Sequence, residues 1–208
     1  MTDQEQQRLL LSEREDFTTI AGWVKPDSGV LDLGCGDGSL LAYLEEARRV
    51  RGYGIEIDDA RVLACVKNGV SVIQSDFERG LAGFESASFD YVILSQTLQA
   101  TRNTEAILAE MLRVGREAIV TFPNFGHWQQ RLQVLGGRMP VSKIIPYQWY
   151  DTPNVHHLTV ADFDAFCEVR RIRVLERVVL HEGRPAGWLP NLLGSLAVYR
   201  LEQAAKAA

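Results

Sequence analysis

Short apolar runs alternate along the chain with segments whose apolar residues recur at helical spacing. Val30–Leu33 is an apolar run that ends in Gly34-Cys35-Gly36-Asp37-Gly38, and Ser39–Arg49 follows with Leu40, Leu41 and Leu44 on one helical face. Tyr53–Ile57 predicts a second strand, and Ala60–Lys67 a helix that Gly69 is placed to end. Val70–Ile73, Phe89–Leu94 and Ala118–Phe122 predict three more strands. Thr104–Leu112 between the last two is a helix with Ile107, Leu108, Met111 and Leu112 on one side. Near-continuous apolar strands alternating with amphipathic helices imply βαβ units around a parallel sheet covered on both faces.

After Phe122 the rhythm changes. Residues 123–160 hold Pro123, Pro140, Pro146 and Pro153, Gly126, Gly136 and Gly137, and the tryptophans Trp128 and Trp149. Arg131, Arg138 and Lys143 face only Asp151 there, a net charge of +2 in a chain whose net charge is −5. This stretch is an aromatic, basic insert within a single domain spanning 1–208. Thr159–Phe166 predicts a helix in which Thr159 is the N-cap and Asp162 sits where a capping box wants an acid. Two apolar strands, Ile172–Leu180 and Leu196–Leu201, close the fold, joined by Gly183–Gly194, and the tail Gln203–Ala208 is expected to fray.

Composition narrows the class. The 208 residues are 46% hydrophobic and 24% charged, as in an ordinary globular domain. Twenty-two bases against 27 acids exclude a dominant nucleic-acid footprint, which needs a basic face. Cys35, Cys65 and Cys167 form no CxxC, so neither zinc nor a disulfide framework is indicated, and no metal site is expected. The opening MTDQEQQRLLLSERED has only the apolar run Leu9–Leu11, so a cytoplasmic protein without signal peptide or membrane span is expected.

The glycine loop lies between a predicted strand and a predicted helix, where glycines let backbone approach a ligand and free N–H groups are on offer. Glu56 closes the second strand, at a distance along the chain where an acid can accept ribose hydroxyls. Two details argue against a nicotinamide dinucleotide. Ser39 stands where its fingerprint wants glycine or alanine, and Asp32 would repel a pyrophosphate while suiting a cation. An adenosine bearing a positive group fits better, as in S-adenosylmethionine.

VLDLGCGDG, YGIEID, QSDF and FDYVILSQTLQ resemble the successive motifs of class I S-adenosylmethionine-dependent methyltransferases. That resemblance implies a Rossmann-like α/β fold, a seven-stranded, mostly parallel sheet with an antiparallel C-terminal hairpin. It also implies S-adenosylmethionine or S-adenosylhomocysteine as cofactor. By position, Asp32 and the backbone of Gly34, Cys35 and Gly36 would meet the methionine moiety, and Asp37 would belong to the same cofactor site. Glu56 would hold the ribose and Ile57 line the adenine pocket. Asp76 would bond the adenine amino group beside Phe77, and Ser95 and Gln96 would sit below the sulfonium. Over almost the whole chain, RED…IAGWVKPDSGVLDLGCGDGSLL, SQTLQAT and TFPNFGHW…LGGRMPVSK…YQWYDTPNVHHLT resemble the methionine biosynthesis protein W (MetW) family. This implies a role beside homoserine O-acyltransferase (MetX), and leaves a homo-oligomer open.

The catalytic residues are not evident. Ser95-Gln96-Thr97-Leu98 differs from the Asn/Asp-Pro-Pro-aromatic tetrapeptide of amino-methylating nucleic-acid enzymes. Cys35 is expected to serve by its small size, and Cys65 and Cys167 to be packed on helices. His127, His156 and His157 are either a general base or loop residues bonded to backbone. Trp128, Tyr147, Trp149 and Tyr150 are a lid, a partner surface or core, and the same choice applies to Trp188, Leu189, Leu192 and Leu193. Two functions compete: an accessory or regulatory partner of homoserine O-acyltransferase, and a methyltransferase acting on a small anionic acceptor.

Overall fold

The computed structural model describes residues 14–204, with Glu15 as backbone alone. The run Leu9–Leu11 and residues 205–208 lie outside the described residues, and with them most of the tail expected to fray; Gln203 ends a strand. Helices are α1 (Glu15–Trp23), α2 (Ser39–Arg48), α3 (Asp59–Lys67), α4 (Thr104–Val114), α5 (Trp128–Leu135), α6 (Val160–Arg170) and α7 (Pro190–Leu193). Strands are β1 (Gly29–Leu33), β2 (Arg51–Glu56), β3 (Val72–Gln74), β4 (Phe89–Ser95), β5 (Gly115–Pro123), β6 (Ile172–His181), β7 (Arg184–Pro185) and β8 (Leu196–Gln203).

They form one sheet in the order β3-β2-β1-β4-β5-β8-β6-β7. The first five are parallel, while β8 runs antiparallel to both β5 and β6. Chain order reverses between β1 and β4, which puts the ligand-binding crevice of an open α/β sheet outside their carboxyl ends. The sheet has eight strands rather than the expected seven. Glu182 (φ 47°) and Gly183 (φ 76°) both adopt the left-handed conformation that a two-residue hairpin turn favours, so β6 folds back and pairs His181 with Arg184. The extra strand falls in a segment read from sequence as a plain connection.

Successive residues of β4 pack on opposite faces, as a strand's alternation dictates. Tyr91 and Ile93 join Phe17, Ile20, Leu40, Leu41 and Leu44 under α1 and α2. Val92 and Leu94 join Ile107, Leu108, Met111, Phe163 and Cys167 under α4 and α6. The helix ends follow the sequence. Gly69 (φ 75°) closes α3, with the Val70 amide donating to Cys65 O and the Gly69 amide to Val66 O, so β3 starts at Val72 rather than Val70. Thr159 and Asp162 form the expected reciprocal capping box of α6, which runs on past Phe166 to Arg170. The insert contains α5, which its prolines and glycines concealed. Among the described residues no helix is long and apolar enough to cross a membrane.

Candidate functional site: the carboxyl ends of β1, β2 and β4

The loop after β1 turns through Gly34 (φ 66°), Gly36 (φ 61°) and Gly38 (φ 79°). The amides of Gly34 and Cys35 donate to Ile55 O, tying the loop to β2. A Cβ on Gly36 would meet nothing within 4 Å, so the loop's backbone faces open space there. Cys35 fills the space beneath: its Sγ lies 3.7 Å from Cys65 Sγ, and Cys65 in turn donates to Gly36 O at 3.1 Å. Burial pushes the Cys35 thiol well above its ordinary range, so the sulfur packs rather than reacts. Asp37 accepts the Ser39 amide at the start of α2.

Glu56 ends β2 and is 4% exposed. Its Oε2 accepts the Gly36 amide at 2.9 Å, and its Oε1 accepts the amides of Ile57 and Asp58. The Ile57 side chain is exposed beside it. Asp76 caps a single helical turn, Phe77–Arg79, by accepting from Glu78 N, and Arg79 lies 3.5 Å away. Phe77 is partly buried against the core. The Gly34–Asp37 loop, Glu56 and Asp76 thus lie at or just beyond the carboxyl ends of the neighbouring parallel strands β1, β2 and β3.

Asp32 is the penultimate residue of β1. It is 2% exposed, and its buried Oδ1 has no hydrogen-bond partner among the described residues. Burial raises its pKa to about 8, helped by the nearby carboxylates of Asp16 and Glu56 and opposed by Arg14. At β4, Ser95 Oγ donates to Asp16 Oδ2 at 3.0 Å, and Gln96 Nε2 reaches the same oxygen at 3.3 Å. Gln96 holds φ 51° and is fixed by its backbone N–H, which donates to Thr121 O and Oγ1. Sequence reasoning missed Arg14 and Asp16, which α1 brings over this end of the sheet. A signal existed: Asp16 stands four residues before Ile20, on the helix face that carries the apolar residues.

The histidines separate. His127 is buried at the start of α5, its Nδ1 3.1 Å from Gln130 Oε1, and burial holds its pKa below the ordinary value. Its ring packs at a tilt of 32° against His181, with centroids 4.8 Å apart. His156 and His157 are exposed; the His156 amide donates to Gln99 O and His157 packs on Phe125. Trp128, Tyr147, Trp149, Tyr150, Trp188 and Leu189 are exposed, so the core alternative falls for these six, while Leu192 and Leu193 are half-buried. No group of three or more potential metal ligands occurs among the described residues.

Residues 14–201 match the model of a family described as methionine biosynthesis protein MetW. The chain belongs to the MetW family. It is 41% identical over 157 residues to the bifunctional methionine biosynthesis protein MetXA/MetW of Rhodopirellula baltica, which covers 71% of this chain and 25% of that protein. The MetW chain therefore spans about a quarter of that relative's length. Its fold matches an S-adenosylmethionine-dependent methyltransferase from Mesorhizobium loti, with TM-score 0.69 and 12% identity over 93% of this chain and 100% of the other. It also matches a magnesium protoporphyrin IX methyltransferase from Synechocystis, solved with SAH bound, with TM-score 0.64 and 18% identity over 98% and 89%. The MetW fold is thus the Rossmann-like fold of S-adenosylmethionine-dependent methyltransferases.

Proposed function

We propose that this MetW chain is an accessory or regulatory partner of a homoserine O-acyltransferase, MetX, and carries S-adenosylmethionine or S-adenosylhomocysteine at the carboxyl ends of β1, β2 and β4. The observation that carries the partnership is the Rhodopirellula relative, whose name joins MetXA to MetW in one protein. Covalent fusion raises the effective concentration of one module at the other and fixes their ratio. The surface supports it. The exposed face of α5, with Trp128, Leu132 and Leu135, borders a groove of about 400 Å³ lined also by Val141 and Lys143. The net +2 of residues 123–160 suits a partner surface that is apolar at its centre and acidic at its rim.

The cofactor reading rests on fit. The open backbone at Gly36, the Glu56 carboxylate and the unpartnered Asp32 Oδ1 suit an adenosine that carries positive charge. When bound, the sulfonium form supplies an electrophilic methyl group. Asp32, the Gly34–Asp37 loop, Ser95 and Gln96 would face its amino-acid and sulfonium end, and Glu56, Ile57, Asp76 and Phe77 its nucleoside. Because S-adenosylmethionine is made from methionine, its occupancy could report pathway output to the acyltransferase. That role implies a cytoplasmic protein.

The deciding experiment is homoserine acylation by the cognate acyltransferase, alone and with this chain, with and without S-adenosylmethionine. A rate that rises only with the chain supports the accessory role, and dependence on the cofactor makes it a sensor. Indifference together with failure to co-purify overturns the partnership. A second reading, methyl transfer to a small anionic acceptor, rests on the same pocket; formation of S-adenosylhomocysteine with a pathway metabolite would establish it.

A further inference from the structure

Gln99 sits in the single turn Leu98–Ala100 that follows β4, is 8% exposed, and bonds two distant parts of the chain. Its side chain reaches back to the end of β4: Nε2 donates to Gln96 O at 2.6 Å, while Oε1 is buried without a partner among the described residues. Its backbone carbonyl accepts the amides of Val155 and His156, both at 2.9 Å, from the far end of the insert. One residue thus holds the β4 turn by its side chain and the insert by its main chain.

Gln96, at the near end of this link, is fixed on its other sides. Its N–H donates to Thr121, and its Nε2 to Asp16 Oδ2, a carboxylate that Arg14 also grips with Nε at 3.2 Å and Nη2 at 3.3 Å. At φ 51° Gln96 keeps a conformation that L side chains seldom adopt, and such residues persist only where surrounding bonds over-determine them. A ligand that prefers this turn as it stands therefore also favours the Gln96–Gln99 bond, because both need the same backbone.

At the far end, residues 146–154 form a strap. None of them is buried, and their hydrogen bonds among the described residues stay inside the stretch, from Asp151 N to Gln148 O and from Asn154 N to Thr152 Oγ1. Trp149 and Tyr150, 72% and 71% exposed, stand at its middle. The strap is anchored at its ends. Ile145 is buried just after Val141–Lys143, which line the groove beside α5, and Val155 and His156 hang on Gln99. A stretch with so little buried surface opens at low cost in free energy, so its anchors decide its arrangement.

We infer that Gln99 couples the cofactor crevice to this strap, so that a ligand on Ser95 and Gln96 pins Val155 and His156 and fixes Trp149 and Tyr150 beside the docking groove. This rests on the cofactor reading above and gives the partnership a physical route by which occupancy reaches the surface. The two arrangements are the strap pinned on Gln99 and the strap released. A ligand shifts that balance only by its differential affinity for the two, which here lies in its contact with the Gln96 turn.

The test follows amide hydrogen exchange of the full chain over residues 146–156, with and without saturating S-adenosylhomocysteine, while calorimetry reports the binding itself. The β6–β7 hairpin, at the far edge of the sheet, is the control. In the wild type the ligand should slow exchange in the strap by about fivefold or more, the lower end of coupling between sites, and leave the hairpin unchanged. Gln99→Met keeps the length of the side chain and the backbone carbonyl but removes the donor to Gln96 O. It should still bind S-adenosylhomocysteine and lose the slowing. Bound ligand that leaves the wild-type strap unchanged, or slows the hairpin equally, overturns the coupling and leaves the cofactor reading intact. Slowing that persists in Gln99→Met overturns the part assigned to Gln99. A wild type that binds no S-adenosylhomocysteine overturns both readings. Circular dichroism checks the fold of the variant, and if Gln99→Met misfolds, Gln99→Asn, whose amide is one methylene too short to reach Gln96 O, decides in its place.

Discussion

Glu56 Oε2 accepts the Gly36 amide at 2.9 Å, so the end of β2 holds the loop that begins at the end of β1. With Ile57 and Asp58 donating to Oε1, three of roughly four acceptor positions of the carboxylate are already used. The residue expected to accept ribose hydroxyls thus also braces the loop, and one acceptor position remains for a ligand. Glu56→Gln replaces one oxygen by an NH₂ that must face a backbone N–H. Stability should fall by about 1–3 kcal/mol, the cost of stranding buried donors. Urea unfolding measures that loss, and calorimetry should show weaker S-adenosylhomocysteine binding as well. Affinity lost at unchanged stability would mean that Glu56 acts on the ligand alone.

Asp32 gives the free protein a pH dependence of definite sign. Burial raises its carboxyl from the ordinary 3.8 to about 8. Between those values the folded chain keeps a proton that the unfolded chain releases. The corresponding stability is therefore complete below about pH 4 and is lost as pH rises through about 8. Unfolding measured from pH 6 to 9 should show wild-type stability declining. Asp32→Asn should flatten this slope and exceed the wild type at pH 9 by about 1–3 kcal/mol, because no buried unpaired charge remains. A cation bound at Asp32 favours the ionised form. Near pH 7 ligand binding should therefore release protons, seen as binding heats that vary with the ionisation enthalpy of the buffer.

The alternation of apolar runs and amphipathic segments was enough to place β1 to β5, and local end signals such as Gly69 and the Thr159–Asp162 box landed where the structure has them. Periodicity failed where the chain's punctuation hides it. The helix α5 lies among prolines and glycines, and β7 is two residues long, held by a turn whose first residue, Glu182, is an unusual choice for positive φ. At the site, the motifs pointed to groups on β1, β2 and β4. They could not show that Asp32 lacks a partner, because that depends on what packs around it. Arg14 and Asp16 carry charges that a sequence reading assigns to solvent; only the docking of α1 on the sheet buries one and orients the other.

Gly54 lies under the glycine loop, and a Cβ there would meet Cys35 Sγ at 2.3 Å and Cys35 Cβ at 3.0 Å. The strand can be close to the loop only because residue 54 has no side chain. Gly54→Ala should destabilise by about 1–3 kcal/mol through overpacking. Adding Cys35→Ala removes the sulfur and should restore part of the loss, so the pair should be coupled in a double-mutant cycle. Additive effects would mean that the loop shifts away from β2 rather than pressing on it.

The exposed face of α5 tests the partnership without touching the pocket. Leu132 and Leu135 are 56% and 82% exposed and contribute little to the core, so changing them should move stability by no more than about 0.5 kcal/mol. The expectation for binding differs. Under the proposed partnership, in which this surface meets an acid-rimmed partner, glutamates placed here introduce both desolvation and like-charge repulsion. Leu132→Glu combined with Leu135→Glu should therefore abolish co-purification with the cognate acyltransferase and any rate enhancement, while calorimetric binding of S-adenosylhomocysteine stays at its wild-type value. If the double variant still forms the complex with unchanged affinity, the partner docks elsewhere. The exposed Trp188 and Leu189, which follow the β6–β7 hairpin, are the next apolar surface to change.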